Sequence, residues 1–385
     1  MRILISCGEP SGDLYAAALA SEILRRQPTA EIAGLGGPRL QAAGARLVGN
    51  FAGLSVTGLT EALGVVPRSY AMLRRLVREA DARRPDVFVA VDFPDFNFRL
   101  MAAMRRRGIP VVYYVGPQLW AWRPARMQQM QAHVDRVLVI FPFEAAIYER
   151  AHVPVTFVGH PLLDLVRVQE SRERLLTRLG LTAAAPTVAL LPGSRRNEVH
   201  RIAPAMAGAV PLIRQSVPTV QFIVARAPGL PEALFAPLLR SAGVGGAVVS
   251  VTDQADDVLA ASDLALTASG TATVQTALHA CPMVVAYRLS PMSYRLGRRF
   301  VLVDTFAMPN LVAGRPVVPE LIQDACTPER LAAEAVTLLT NGEARARMTE
   351  GLRDVRERLG GPGASARAAD AVLSVAAAGR GRSHG

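Results

Sequence analysis

The feature of this sequence that most constrains its fold is a regular alternation of short β-branched runs with longer amphipathic stretches. In the first half the predicted strands are Arg2–Ser6, Glu31–Leu35, Asp86–Val91, Pro110–Val115, Arg136–Ile140 and Val155–Val158. In the second half they are Val188–Leu191, Val220–Ala225, Ala247–Val251, Asp263–Thr267 and Met283–Tyr287. Strands that alternate with helices favour parallel sheets covered by helices, so we predict the α/β class.

The chain is too long for a single core. A chain of 385 residues is expected to form about two domains, and the strand pattern restarts after the turn-rich segment Gly159–Pro161. We therefore predict Rossmann-like domains at 1–165 and 166–342, and a disordered tail of small residues and arginine at 376–385. Ligands of such sheets bind beyond the carboxyl ends of the strands, so the expected active site is a central cleft that both domains face.

The charged residues exclude several mechanisms. The formal net charge is +11, and the sequence contains no lysine, so all 43 basic side chains are arginine. A P-loop lysine and a Schiff-base lysine are therefore excluded. Arginine suits diphosphate recognition because its planar fork binds two oxygens at once. On charge alone, phosphorylated substrates, an anionic membrane and nucleic acid all remain open as partners.

The cysteines and the N-terminus indicate a cytoplasmic protein without a metal. Cys7, Cys281 and Cys326 lie far apart and fit no metal-ligand spacing, so we predict no metal site and a reduced compartment. The first residues lack the pattern of a signal peptide. The uncharged stretches are short and interrupted by glycine and proline, so none is expected to span a bilayer.

Two motifs in the first half follow predicted strands. Gly8–Asp13 permits a tight turn, with Ser11 or Asp13 as a helix cap, and an ordinary strand-to-helix turn explains it about as well. Asp92–Asn97 places a carboxylate at the end of a buried strand, where a general base is well positioned. An Asx turn is the alternative, and we favour Asp92 over Asp95 because it is closer to the strand end.

Two motifs in the second half are predicted to bind anions. Gly193, Ser194 and Arg195 form a turn between a strand and a helix, where backbone N–H groups point outward and the guanidinium adds a fixed charge. Ser269, Gly270 and Thr271 repeat this arrangement after the strand Asp263–Thr267. A plain helix-start turn is the alternative at either place, but two such turns in one domain favour a diphosphate site.

Six motifs in order resemble one family. GEPSGD, DFPDFN, GHPLLD, LLPGSRRNEV, SGTATVQ and PNLVAG follow one another as in the lipid-A-disaccharide synthases, and the resemblance covers the chain from about residue 2 to the C-terminal helix. It implies a GT-B fold with the UDP donor in the C-terminal domain, and a final helix, about 343–375, that packs back on the first domain. It also implies a peripheral protein on the cytoplasmic side of an anionic inner membrane, often as a homodimer.

The resemblance also implies a reaction and the residues that carry it out. UDP-2,3-diacylglucosamine and 2,3-diacylglucosamine 1-phosphate would give a β-1,6-linked disaccharide 1-phosphate and UDP, with inversion and without a cofactor. By motif match, Asp92 is the base and Glu9 an essential residue of the cleft, while Arg195 and Asn310 bind the donor. We place Ser11, Asp13 and Asn97 on the acceptor side of the cleft.

Two positions depart from the family pattern, which usually has glutamate at Gln275 and serine at Gly116. We assign Gln275 to the donor ribose, and expect its exchange for glutamate to be nearly neutral because glutamine keeps one acceptor oxygen.

A further segment suggests membrane contact. Leu59, Leu63, Val65, Val66, Tyr70, Met72 and Leu73 lie beside Arg68, Arg74 and Arg75. An amphipathic helix with its apolar face in the core explains this segment equally well; the alternative is a face that meets the bilayer and acyl chains.

Two other functions remain as alternatives. One is a different GT-B-type enzyme, such as a UDP-N-acetylglucosamine 2-epimerase. The other is a basic RNA- or membrane-binding adaptor, although the arginines are dispersed and no aromatic stacking platform is recognisable, so we expect no nucleic-acid partner.

Overall fold

The computed structural model describes residues 1–52, 54, 59–119, 126–241, 248–289 and 305–382, without the side chains of 59–65 and 381–382. These residues form two compact units. One contains Met1–Asp164 and the C-terminal residues from Leu359, and the other comprises the described residues from Leu165 to Arg358. Each unit is built on one parallel sheet with helices, which confirms the predicted class of two Rossmann-like domains.

The first sheet has seven strands in the order β3-β2-β1-β4-β5-β6-β7. They are β1 (Arg2–Cys7), β2 (Glu31–Gly36), β3 (Arg46–Asn50), β4 (Val87–Val91), β5 (Val111–Tyr114), β6 (Arg136–Val139) and β7 (Val155–Phe157). Side chains from Ile3 to Cys7 and throughout β4 are buried, which explains their continuous apolar runs. The strand order reverses between β1 and β4, so the turns after these two strands lie side by side.

The helices of the chain up to residue 165 connect these strands or, in the case of the last one, follow them. They are α1 (Pro10–Arg26), α2 (Pro38–Ala42), α3 (Leu59–Ala82), α4 (Pro94–Arg105), α5 (Met127–His133), α6 (Pro142–Arg150) and α7 (Leu162–Leu165). Four of them, α1, α2, α4 and α6, begin with proline, whose fixed φ and missing N–H suit the first helical position.

The second sheet has six strands in the order β10-β9-β8-β11-β12-β13. They are β8 (Thr187–Leu191), β9 (Gln221–Arg226), β10 (Val248–Thr252), β11 (Leu264–Ala268), β12 (Met283–Tyr287) and β13 (Glu320–Ile322). The helices are α8 (Arg172–Arg178), α9 (Arg196–Ser216), α10 (Ala236–Arg240), α11 (Ala255–Ala260), α12 (Thr271–Leu278), α13 (Met308–Ala313), α14 (Pro328–Thr340) and α15 (Gly342–Arg358). Here the order reverses between β8 and β11, the strands that precede the two predicted anion-binding turns.

Two edge strands were missed by the sequence analysis. Both β3, with the sequence RLVGN, and β13, with the sequence ELI, are short and lack the β-branched run that identifies a buried strand. The predicted strand start at Ala247 lies outside the described residues.

The C-terminal region differs from the predicted single helix at 343–375. It forms two helices, of which α15 belongs to the second unit and buries Met348, Leu352 and Val355 there. The second helix, α16 (Ala364–Arg382), packs on α1 in the first unit. Its side chains Asp370 and Arg380 form ion pairs with Arg26 and Asp86.

The predicted disorder at 376–385 is wrong as far as Arg382, because α16 continues to that residue and Ala376 is fully buried. Small side chains permit this packing: a Cβ atom at Gly379 would lie 2.5 Å from the Pro110 ring. Residues 383–385 lie outside the described part of the chain.

Candidate active site

A groove in the first unit adjoins the turns after β1 and β4. Its volume is about 1360 Å³, and both Glu9 and Asp92 line it. Much of the remaining lining is apolar or cationic. The apolar residues include Leu54, Val66, Tyr70, Leu73, Val77 and Phe98, and the arginines include Arg74, Arg78, Arg99 and Arg106. Such a lining suits an amphiphile with a negative charge, because the aliphatic part is removed from water while the arginines offer donors to anionic oxygens.

The backbone of Asp92 is strained and firmly held. Asp92 and Phe93 have φ angles of 46° and 52°, in the left-handed region that costs a residue other than glycine about 1–3 kcal/mol. The Asp92 carbonyl accepts hydrogen bonds from Asn97 Nδ2 at 2.7 Å and from the Tyr113 hydroxyl at 2.9 Å. The Asp92 amide donates to Tyr114 at 3.1 Å. All three hydrogen bonds involve the backbone of Asp92, so they fix the position from which its carboxylate extends.

Gly8 packs the first motif against the second. A Cβ atom at Gly8 would lie 2.1 Å from the Phe93 ring, so only glycine leaves room for that ring. Phe93 in turn stacks on Phe96, with 5.3 Å between the ring centroids. Glu9, the residue before α1, and Asp92 both line the same groove.

Asp95 differs from Asp92 in its surroundings. Its side chain is 73% exposed and forms an ion pair with Arg126 at 2.7 Å, whereas Asp92 is partly buried at the strand end. Burial raises the pKa of the Tyr113 hydroxyl, and the charge of Asp92 raises it further. A partly buried carboxylate at the end of a strand is better placed to accept a proton than an exposed one, which keeps Asp92 as our candidate base.

Asp13 does not lie on the acceptor side of a cleft, as the sequence analysis placed it. It is 2% exposed, and its carboxylate accepts hydrogen bonds from the amides of Gly37, Arg39 and Leu40 at 2.7, 3.0 and 3.2 Å. Nor does it cap its own helix, because Glu9 occupies that position without a side-chain hydrogen bond. Asp13 instead satisfies the first N–H groups of α2.

Asn97 and Ser11 also differ from their assignments. Asn97 is fully buried, and its Nδ2 donates to Ser6 and Asp92 carbonyls, so it shapes the Asp92 turn and does not face a substrate. Ser11 is partly exposed in the first turn of α1. Its contact with the acceptor stays a prediction.

The turn after β8 holds a carboxylate of its own. Glu198 Oε2 accepts hydrogen bonds from the amides of Ser194 and Arg195 at 3.2 Å each, and Glu198 Oε1 accepts one from Arg195 Nη1 at 2.8 Å. Gly193 has a φ of 128°, and a Cβ atom there would lie 2.7 Å from Glu198 Cβ. The glycine is therefore required by its backbone angle and by the approach of Glu198, which binds two of the N–H groups that the sequence analysis assigned to an anion.

The turn after β11 is closer to the predicted anion-binding turn than the turn after β8 is. Gly270 has a φ of 129° and precedes the first residue of α12, the exposed Thr271. No atom lies within 4 Å of a Cβ built at Gly270, so the backbone angle and not space requires the glycine. Ser269 Oγ donates to the Phe306 carbonyl at 3.4 Å. The start of α12 therefore faces solvent and can receive an anion.

Asn310 was predicted to bind the donor directly, and the structure corrects this prediction. Its Oδ1 accepts from the amides of Val317 and Val318 at 2.6 and 2.9 Å. Its Nδ2 donates to the Val318 carbonyl at 2.9 Å and to Glu320 Oε1 at 2.7 Å. Since an amide side chain has two donor and two acceptor positions, all four are used inside the unit. Asn310 holds the α13 loop and Glu320 in place.

Gln275 also has a partner that the sequence did not reveal. Its Nε2 donates to Asp256 Oδ1 at 2.7 Å, and His279 Nε2 lies 3.0 Å from the same oxygen. Burial works to raise the pKa of Asp256, but hydrogen bonds from His279, Gln275 and the Arg167 amide hold it below its ordinary value. A ribose contact through Gln275 Oε1 stays a prediction, whereas exchange for glutamate is no longer expected to be neutral.

We expect Gln275→Glu to destabilise the second unit by about 1–3 kcal/mol at pH 8, because two carboxylates would share one site. Repulsion raises the folded-state pKa of the pair. A carboxylate whose pKa is raised on folding destabilises the fold at pH values above that pKa, where it is ionised, and this penalty disappears below it. The deficit relative to wild type should therefore shrink as the pH falls from about 8 to about 5. Urea unfolding at both pH values measures it. Gln275→Leu, the uncharged control, should show a deficit with weaker pH dependence; equal dependence would contradict the repulsion.

Sequence reasoning missed three contributors. Tyr113 lies inside a strand pattern that signals only core, and Asp256 meets Gln275 only through the fold. Glu198 follows the N-cap residue Arg195 by three positions, the spacing of a capping box, which was a usable signal.

At Gly116, where the family usually has serine, a Cβ atom would lie 3.1 Å from the Tyr148 hydroxyl.

Metal-ligand clusters and membrane-spanning helices are both absent from the part of the chain that the structure describes. Within the described ranges, no three His, Cys, Asp or Glu side chains are grouped so that they could hold a metal ion. Among the helices of those ranges, none has the length and apolarity needed to cross a membrane.

Comparison with known proteins identifies the family. The model of the lipid-A-disaccharide synthetase family matches residues 3–375. A lipid-A-disaccharide synthase of Geobacter metallireducens is 42% identical over 377 residues, which are 97% of each chain. That of Anaeromyxobacter dehalogenans is 44% identical over 374 residues, again 97% of each chain. The chain belongs to the lipid-A-disaccharide synthase family. The predicted family and enzyme class are thereby confirmed.

Solved structures agree on the fold. The UDP-GlcNAc 2-epimerase of Neisseria meningitidis, solved with UDP-GlcNAc bound, matches 97% of this chain and all of its own with a TM-score of 0.68. Its sequence identity is 14%, so this likeness shows the fold alone. The predicted GT-B fold is confirmed, and neither the epimerase nor the adaptor alternative is favoured by the sequence relatives.

Proposed function

We propose that this enzyme transfers the 2,3-diacylglucosamine unit of a UDP-linked donor to the 6-hydroxyl of 2,3-diacylglucosamine 1-phosphate and releases UDP. The observation that carries the proposal is the groove of the first unit, in which a candidate base and an amphiphilic lining occur together. The acceptor has matching parts: a hydroxyl to be deprotonated, a phosphate for arginine and two acyl chains for the apolar wall.

Asp92 is the proposed base. Its carboxylate takes the proton of the acceptor 6-hydroxyl while that oxygen forms the new bond to the anomeric carbon of the donor. The bond from this carbon to the diphosphate breaks, and its electron pair leaves with UDP. Attack opposite the leaving group inverts the anomeric centre, by the same geometry as in inverting glycosidases.

The second unit binds the donor in this proposal. The Arg195 guanidinium and the start of α12 at Gly270 and Thr271 supply positive charge to the diphosphate, first on binding and then as charge grows on departing UDP. These are groups of the chain itself, so the proposal requires no metal. We also retain as a proposal the association of two copies that the resemblance implies.

One assay tests the proposal. The purified protein is given UDP-diacylglucosamine and diacylglucosamine 1-phosphate in excess EDTA, and the products are analysed by mass spectrometry. The expected result is the disaccharide 1-phosphate with one UDP for each. Free diacylglucosamine or an epimerised donor, formed equally well without acceptor, would contradict it.

We propose, as the family resemblance implies, that the protein binds peripherally to the cytoplasmic face of the inner membrane, and the groove wall supports contact with a membrane surface. Val66 is 56% exposed and Tyr70 49%, the largest apolar exposures on the described part of α3. The Arg74 guanidinium lies 4.7 Å from the centroid of the Tyr70 ring. Exposed apolar groups beside arginine are typical of surfaces that enter the lipid headgroup region. Met72 and Leu73 pack against the core instead, and the side chains of Leu59, Leu63 and Val65 lie outside the described residues.

We expect the double variant Val66→Ser, Tyr70→Ser to bind anionic phosphatidylglycerol vesicles about fivefold to thirtyfold more weakly, because about 1–2 kcal/mol of apolar burial is lost. Vesicle sedimentation measures this, and circular dichroism checks the fold. Leu73 is left unchanged because it packs against the core. Val168→Ser is the matched control, since Val168 is 51% exposed in the second unit. Equal weakening by the control, or none by the double variant, would contradict a membrane face at α3.

A further inference from the structure

The ion pair of Arg195 and Glu198 occupies the donor side of the second sheet. It follows β8, whose partner β11 precedes the Ser269–Thr271 turn, and β12 lies next in the sheet. Burial raises the pKa of Tyr287 at the end of β12; the charge of Glu198 raises it further and that of Arg195 lowers it. The pair is therefore close enough to Tyr287 for both charges to be felt at its hydroxyl.

Glu198 already accepts hydrogen bonds from the amides that would otherwise be available to a phosphate. Its Oε2 accepts from the amides of Ser194 and Arg195, and Gly193 leaves room for it. The two partners differ in exposure, however: the Arg195 side chain is 41% exposed and that of Glu198 only 18%. An anion from solvent can therefore reach the guanidinium without displacing the carboxylate.

We propose that Glu198 is a positioning residue of the donor site, which holds the Arg195 guanidinium in the orientation that binds the donor diphosphate. This inference rests on the proposed function. The amides of Ser194 and Arg195 stay bonded to Glu198, and the diphosphate binds between the guanidinium and the start of α12. An arginine restrained by a carboxylate loses less side-chain entropy on binding than a mobile one.

Glu198→Gln tests the role of the charge. The glutamine oxygen can still accept from the two amides, so the turn is kept, but its NH₂ group faces the guanidinium and cannot accept from it. We expect the UDP Kd and the donor KM to rise about fivefold to twentyfold, because a charge-assisted hydrogen bond is lost. The acceptor KM should stay within about twofold, since no acceptor group meets Glu198 in this proposal. Calorimetry and steady-state kinetics measure these constants.

The control is a second capping box in the same chain. Glu144 occupies the equivalent position of α6 in the first unit, accepts from the Phe141 amide at 3.3 Å and is 1% exposed. Glu144→Gln should lower the melting temperature without changing the UDP Kd. If Glu198→Gln does the same, Glu198 is only a helix cap and the proposal is wrong.

A double-mutant cycle tests whether Glu198 acts through Arg195. In an Arg195→Ala background, Glu198→Gln should change the UDP Kd by less than about twofold, because the group to be positioned is missing. A full additional loss would contradict the proposal. So would tighter UDP binding by Glu198→Gln, since the carboxylate would then compete with the diphosphate.

A shorter carboxylate at position 198 and UDP binding by the wild type provide two further tests. If Glu198→Gln does not fold, Glu198→Asp is used, whose shorter carboxylate keeps the charge but cannot reach the amides and the guanidinium together. It should likewise raise the donor KM alone, and an unchanged donor KM would overturn the proposal. UDP binding by the wild type separates the two levels of inference: its absence contradicts the proposed function, whereas its presence with unaffected variants contradicts only the role of Glu198.

Discussion

Asp92→Asn is expected to fold normally and to lose turnover by about 100- to 10,000-fold, the usual contribution of a general base. The amide is almost the same size as the carboxylate but does not accept the proton of the acceptor hydroxyl. The fold should be unaffected, because the hydrogen bonds to Asn97, Tyr113 and Tyr114 involve only the backbone of residue 92. The initial rate of UDP release and the melting temperature measure the two effects.

Asp95→Asn is the natural comparison, because Asp95 lies three residues after Asp92, in the first turn of α4. Its carboxylate is exposed and paired with Arg126, so its loss should reduce turnover by less than about tenfold. If Asp95→Asn loses more activity than Asp92→Asn, the base has been assigned to the wrong carboxylate. Near wild-type turnover in Asp92→Asn would remove Asp92 from the mechanism.

Asp13→Ala should produce the largest loss of stability among our variants, about 3 kcal/mol or more in the unfolding free energy of the first unit. Its carboxylate is the acceptor for three amides, of which those of Gly37 and Leu40 are buried. Without it, these donors lack a partner away from water, and each such donor costs about 1–3 kcal/mol. At about 2–4 °C per kcal/mol, the melting temperature should fall by roughly 6–12 °C.

Asp13→Asn and Ser11→Ala refine this test. Asparagine keeps one acceptor oxygen but turns its NH₂ group towards an amide donor, so an intermediate loss is expected. Ser11 lies two residues away and is partly exposed, and its truncation should change stability by less than about 0.5 kcal/mol. Urea titrations followed by circular dichroism compare the three. An Asp13→Ala protein as stable as wild type would mean that the α2 amides find other partners.

The sequence by itself determined most of the segments that become strands and where the candidate functional turns lie. Buried parallel strands such as β4 are continuous apolar runs, so their pattern is visible without a structure. Asp92 could be singled out for the same reason, because it directly follows such a run. The edge strands β3 and β13 could not, because a strand with a single neighbour does not need a long β-branched run.

Only the tertiary structure decided what the polar side chains of these turns contact. Asp13 accepts hydrogen bonds from amides 24 to 27 positions away, and Gln275 donates one to a carboxylate 19 positions away. The hydrogen-bonding groups of Asn310 are all occupied by residues 7 to 10 positions further along the chain. All three had been assigned to substrate binding from the sequence. A hydrogen bond depends on distance and direction in space, and residues far apart along the chain acquire these only when the sheet and its helices have packed.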